Sequence, residues 1–168
     1  ALKAAMEAEK IEGTLIYYGC PAEETLDGKV YMARDGLFDE LDLCWAWHPN
    51  AYAPAMLEAS MQASISIFFN FYGKTAHAAG NPDDGRSALD AAELMNVGVN
   101  YLREHVPSDV RMHYCYINAG EKPNIVPDFA RLHYFVRAKY IDVANQVLDR
   151  VKECARGAAI MTGTTTDY

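Results

Sequence analysis

Apolar and polar positions alternate most regularly between Met61 and Gly73, where Ile65, Ile67, Phe69 and Phe71 share one face and Ser64, Ser66, Phe68, Asn70 and Tyr72 the other. A period of two is that of a strand with one face buried. A polar loop, Asn81-Pro82-Asp83-Asp84-Gly85, then leads to Ala88, Ala92, Met95, Val99 and Leu102, which recur at helical spacing before Pro107. Two further strands are predicted over Val110 to Asn118 and Asp128 to Ala138, joined by a loop containing Gly120 and Pro123. A last helix is expected from Asp142, as N-cap, to Gly163, with Val143, Val147, Leu148, Val151 and Ala155 on one face. The β-branched run Thr164-Thr165-Thr166 reads as the start of another strand. The order βαββαβ predicts a ferredoxin-like sandwich, with two helices on one face of a four-stranded antiparallel sheet.

The first sixty residues follow a different pattern. Ala1 to Lys10 reads as helix, Gly13 to Tyr18 as strand, Gly28 to Asp35 as a short helix and Leu41 to Trp47 as a second strand running into His48-Pro49. Helices alternating with apolar strands predict an α/β layer with parallel pairing, whose loops at the strand exits are the usual place for a site. The chain is therefore expected to hold part of an α/β domain over 1–60 and an α+β domain over 61–168. Its opening in helix without Met and its close on a nascent strand suggest a fragment of a longer polypeptide.

Composition narrows the range of functions. A chain of 168 residues with 51% hydrophobic and 23% charged positions falls among ordinary globular proteins. The net charge of -8, with Lys and Arg scattered singly, argues against a nucleic-acid partner. Cys20, Cys44, Cys115 and Cys154 show no metal-ribbon or disulfide spacing. With no leader and no bilayer-length apolar run evident, no membrane association is expected, and the expected location is cytoplasmic.

Several residues could carry chemistry. In Pro21-Ala22-Glu23-Glu24, adjacent carboxylates at a strand exit could divide two tasks, one ligating a metal and the other taking a proton from water. Two loop glutamates are otherwise a solvated pair. His48, stiffened by Pro49, could add a nitrogen ligand acceptable to zinc or manganese, or could be a turn histidine. His77 lies among small residues in Gly73-Lys74-Thr75-Ala76-His77-Ala78-Ala79, and Asn124 sits between two prolines in Pro123-Asn124-Ile125-Val126-Pro127-Asp128. Either could donate to an oxyanion, although on spacing alone each reads as an ordinary loop residue. Arg137 could grip a carboxylate through two parallel hydrogen bonds, or could be a solvated strand end. Asp83, Asp84, His105, His113 and His133 have no distinguishing context and read as structural or surface residues.

Taken in order, Gly13-Thr14, Pro-Ala-Glu-Glu, His-Pro, Gly-x-x-x-His-Ala-Ala, Asn-Ile-Val-Pro-Asp and an Arg-ended strand resemble the metal-dependent aminoacylase and carboxypeptidase family of amidohydrolases across essentially the whole chain. Tyr18-Gly19-Cys20-Pro21-Ala22-Glu23-Glu24, Trp47-His48-Pro49-Asn50 and Gly85-Arg86-Ser87-Ala88-Leu89-Asp90 are closest to its branch of aminobenzoyl-glutamate hydrolase subunits.

The resemblance implies a catalytic domain with two divalent metal ions, zinc or manganese, and an inserted ferredoxin-like lid that forms a homodimer. A second hydrolase subunit is a further possible partner. It implies Glu23 as general base, Glu24 and His48 as metal ligands, His77 and Asn124 as oxyanion donors in the partner's site, and Arg137 as the grip on the α-carboxylate of a small N-acyl amino acid such as aminobenzoyl-glutamate. The family's other ligands lie outside residues 1–168, so this chain alone is expected to be inactive. Cys20 stands where many relatives have glutamine. The rival reading, from another class, is a catalytically silent ferredoxin-like dimerisation or ligand-binding module.

Overall fold

The chain divides into two compact units, Ala1–Ala55 and Met56–Tyr168; a computed structural model describes residues 1–23, 28–46 and 61–168. In the first unit, helix α1 (Leu2–Glu9) stops where Lys10 turns left-handed, and helix α2 (Gly28–Arg34) follows. The Tyr18 hydroxyl donates to the Leu37 carbonyl at 2.7 Å, and its ring meets Phe38 edge-on at 5.1 Å. The strands expected at Gly13 to Tyr18 and from Leu41 onward are not formed among the described residues, and Trp47 lies outside them. The physical reason is pairing. An extended segment becomes a strand only when a neighbour takes its N–H and C=O groups, and neither segment has such a neighbour among the described residues.

The second unit follows the expected order: β1 (Ala63–Tyr72), α3 (Ala88–Leu102), β2 (Arg111–Asn118), β3 (Phe129–Ala138), α4 (Ile141–Thr162) and β4 (Thr165–Asp167). The sheet runs β2-β3-β1-β4 and is antiparallel throughout, which is the ferredoxin-like arrangement. Register explains the burial. Ala130, Leu132, Tyr134 and Val136 alternate along β3 and are buried, and Phe69 and Phe71 pair into the same layer from β1. Against them lie Ala88, Ala92, Met95 and Val99 of α3 and Val147, Val151 and Ala155 of α4. One polar side chain, Asn96, is buried here. It accepts from the Tyr134 hydroxyl and donates to that of Tyr116 at 3.0 Å, so its amide is not left orphaned. Burial pushes the Tyr134 phenol far above its ordinary range and keeps it a neutral donor.

Helix ends differ from expectation at one place. Ser87 caps α3 by accepting from the Asp90 N–H at 3.1 Å. Asp142, however, is not the N-cap of α4. Tyr140 holds that position because its carbonyl already accepts the Ala144 N–H at 3.1 Å, which starts the helix earlier. Asp142 sits instead in the first turn, where a carboxylate favours the positive end of the helix dipole. Gly163 ends α4 in the left-handed conformation, as expected.

The helices leave the other sheet face open. Phe71→Ala, on the covered face, is expected to cost about 3–5 kcal/mol, whereas Phe68→Ala, on the open face, should cost less than about 1.5 kcal/mol. Urea denaturation of the two variants measures this; equal losses would contradict the assignment of faces.

Candidate functional site

β1 ends at Tyr72, yet the chain stays beside the segment leading into β3. The Gly73 N–H donates to Asp128 O at 2.8 Å, Val126 N–H to Ala76 O at 2.9 Å and Ala78 N–H to Asn124 O at 3.0 Å. On the other side, Lys74 and Arg86 exchange both backbone bonds at 2.8 Å. Glycine is required at position 73 because a Cβ there would overlap the Arg86 carbonyl oxygen. The result is an irregular extension of the sheet in which His77 bridges Ile125, next to Asn124.

The His77 ring is exposed, but its backbone surroundings decide its tautomer. Nδ1 accepts N–H bonds from Ala79 at 3.2 Å and Gly80 at 3.0 Å. An accepting nitrogen carries no proton, so the neutral ring holds its hydrogen on Nε2, the nitrogen those bonds leave free. Asn124 is also exposed, and its side-chain amide makes no hydrogen bond among the described residues. A hollow of about 340 Å³ opens in the same loop, lined in part by Lys122, Ile125 and Phe129 and not by Asn124 itself. The structure thus places two side-chain N–H donors on adjoining, hydrogen-bonded segments, a composition suited to an oxyanion.

Arg137 is not part of this group. It pairs with Ser64 at the far end of the β1–β3 ladder, whereas the His77 end is marked by the Tyr72–Phe129 pair. Eight residue steps along the strands separate the two pairs, or about 26 Å at strand rise. Its guanidinium lies over the Phe135 ring, 5.4 Å from the centroid, and its Nε is buried without a hydrogen-bond partner among the described residues.

In the first unit, Glu23 occupies a turn after Ala22, whose φ of 54° is left-handed, a conformation that costs an L-residue on the order of 1 kcal/mol. Its carboxylate is 3.7 Å from the Lys29 ammonium, both side chains being half exposed. Glu24 and His48 lie outside the described residues. Among the described residues, no three His, Cys, Asp or Glu side chains gather as a metal site would require. Sequence reasoning passed over Arg111, which β2 places directly opposite Arg137. Alternation along β2 shows Arg111 on a face, but not which residue faces it across the sheet.

Residues 58–160 match the sequence profile described as "Peptidase dimerisation domain". The chain belongs to that family. This dimerisation-domain chain is 42% identical over 168 residues to a p-aminobenzoyl-glutamate hydrolase subunit of Escherichia coli (strain K12), covering 99% of this chain and 35% of the relative. It is 34% identical to Xaa-Arg dipeptidase of Mus musculus, over 99% of this chain and 38% of that protein. It therefore spans little more than a third of either relative. The crystal structure of an aminobenzoyl-glutamate utilization protein from Klebsiella pneumoniae aligns with a TM-score of 0.55 and 27% identity, over 64% of this chain and 28% of that one. A putative amidohydrolase/peptidase from Burkholderia cenocepacia aligns with a TM-score of 0.58 at 21% identity, over 63% of this chain and 27% of the other, and shows the shared fold. The resemblance read from the order of the motifs is confirmed.

Long-range ¹H–¹⁵N spectra of the neutral His77 ring should show its proton on Nε2. A neutral ring protonated on Nδ1 would contradict the bonds from Ala79 and Gly80.

Proposed function

We propose that this chain is part of a two-metal amidohydrolase that cleaves the amide bond of a small N-acyl amino acid, such as aminobenzoyl-glutamate. Residues 1–60 belong to its catalytic domain and 61–168 form its lid and dimerisation domain. The observation that supports this most is the His77–Asn124 pair, whose donors suit the charge that develops on a scissile carbonyl oxygen. The names of the relatives agree, since each of the two described above is a hydrolase.

In this reading Glu23 takes a proton from the attacking water and passes it toward the leaving amine. Glu24 and His48 offer oxygen and nitrogen donors of the types zinc or manganese accepts, and the remaining ligands come from outside the chain. The metals, when bound, supply Lewis-acid polarisation of the amide and of water. Arg137 holds the substrate's α-carboxylate.

The separation of about 26 Å along the strands has a direct consequence for this assignment. No small substrate reaches from Arg137 to His77 of the same lid. A two-fold homodimer joined along the β2 edges brings the Arg137 end of one sheet beside the Asn124 end of the other, because edges related by a two-fold axis run antiparallel. That edge is flanked by the exposed Tyr114, Tyr116, Val97 and Tyr101. Each site then draws His77 and Asn124 from one copy and Arg137 from the other.

Mixing intact His77→Ala subunits with intact Glu23→Ala subunits tests the reading. Each homodimer should lose on the order of 10²-fold or more in turnover, and subunit exchange should restore activity, since one of the two sites in a mixed dimer has both groups. If exchange is verified and activity does not return, His77 does not act in the neighbour's site.

A further inference from the structure

On the open face of the sheet, β2 and β3 place Arg111 and Arg137 directly opposite one another. Cross-strand partners in register share a face, and like charges set opposite one another destabilise a sheet. Neither arginine forms an ion pair with a carboxylate among the described residues. One oxygen of the Asp109 carboxylate, two residues before Arg111, accepts from the Lys139 backbone N–H at 2.7 Å.

Both guanidinium groups are also held in place. Arg111 donates through Nη1 to the carbonyls of Ser108 and Val110, each at 2.7 Å, which leaves Nε and Nη2 free. Arg137 rests on Phe135, and its buried Nε has no hydrogen-bond partner among the described residues. Two like charges facing one another across a sheet are costly while their site is empty. Guanidinium groups fixed in this way donate to carboxylates with little further ordering.

We infer that Arg111 recognises a second carboxylate, so that this site selects N-acyl derivatives of acidic amino acids, glutamate or aspartate, over neutral or basic ones. The inference rests on the reading of Arg137 as the grip on the α-carboxylate. Arg111 is then the specificity-determining residue: Arg137 takes the group common to all amino acids, and Arg111 takes the side-chain carboxylate that only acidic ones have. Among the relatives, this favours the aminobenzoyl-glutamate type of substrate over the Xaa-Arg type.

The test uses the intact polypeptide, with divalent metal removed by a chelator so that neither probe is cleaved. N-acetylglutamate and N-acetylglutamine differ at the side-chain carboxylate alone, and calorimetry gives the affinity for each. The wild-type protein should prefer N-acetylglutamate by tenfold or more. Arg111→Gln should abolish that preference while leaving the affinity for N-acetylglutamine unchanged, Arg111→Lys should retain part of it, and Arg137→Gln should weaken both probes. Equal affinities in the wild type, binding of neither probe, or a preference that survives Arg111→Gln would overturn the inference. Hydrolysis assays with metal restored separate the two claims. A protein that cleaves neither amide but keeps the Arg111-dependent preference refutes the hydrolase reading alone, and one that cleaves both equally without such a preference refutes this inference alone.

Discussion

The register between β1 and β3 is the constraint on which the rest depends. Pairing Phe71 with Ala130 and Phe69 with Leu132 fixes which side chains meet the helices, and a slip of one residue would turn that whole set to solvent. The same register carries His133 and Phe135 to the open face, where His133 stacks on Phe68 at 4.3 Å and bonds to Ser66 at 2.8 Å. It also fixes the ends. The Tyr72–Phe129 end continues into the hydrogen bonds that join His77 to the Asn124 segment, and the Ser64–Arg137 end carries the cationic pair.

Much of the dimerisation domain was legible in the sequence because its signals are local and periodic. Alternation over Ser64 to Tyr72 and helical spacing over Ala88 to Leu102 both reported a covered face, and the structure buries Phe69, Phe71, Met95 and Val99. Signals of long range were not legible. The start of α4 depends on the bond between Ala144 and Tyr140, which displaced Asp142 from the cap. The segments at Gly13 to Tyr18 and after Leu41 have strand composition, but composition supplies no partner, and none is present among the described residues.

The candidate site divides in the same way. His77, Asn124 and Arg137 could be named from motif order, but the tautomer of His77 depends on N–H groups two and three residues further on. The distance between Arg137 and the His77 loop depends on strand pairing, as does the facing of Arg111 on Arg137. Glu23 could be named as well, though not the left-handed Ala22 that precedes it. Strain of this kind is a reason to look closely at a turn and is not by itself a sign of function.

The proposed function requires the two ends of the dimerisation domain that serve one site to come from different copies. Lys122 lies in the loop beside Asn124, and Lys139 follows Arg137, so these native lysines mark the two ends. Within one copy they are about as far apart as the ladder is long, on the order of 26 Å, beyond the span of a short amine-reactive cross-linker. Cross-linking a mixture of ¹⁴N- and ¹⁵N-labelled protein after subunit exchange, followed by mass spectrometry, reports which copies are joined. The account predicts Lys122–Lys139 peptides with one light and one heavy half; such peptides formed only within single copies, or between other pairs of lysines only, would contradict it.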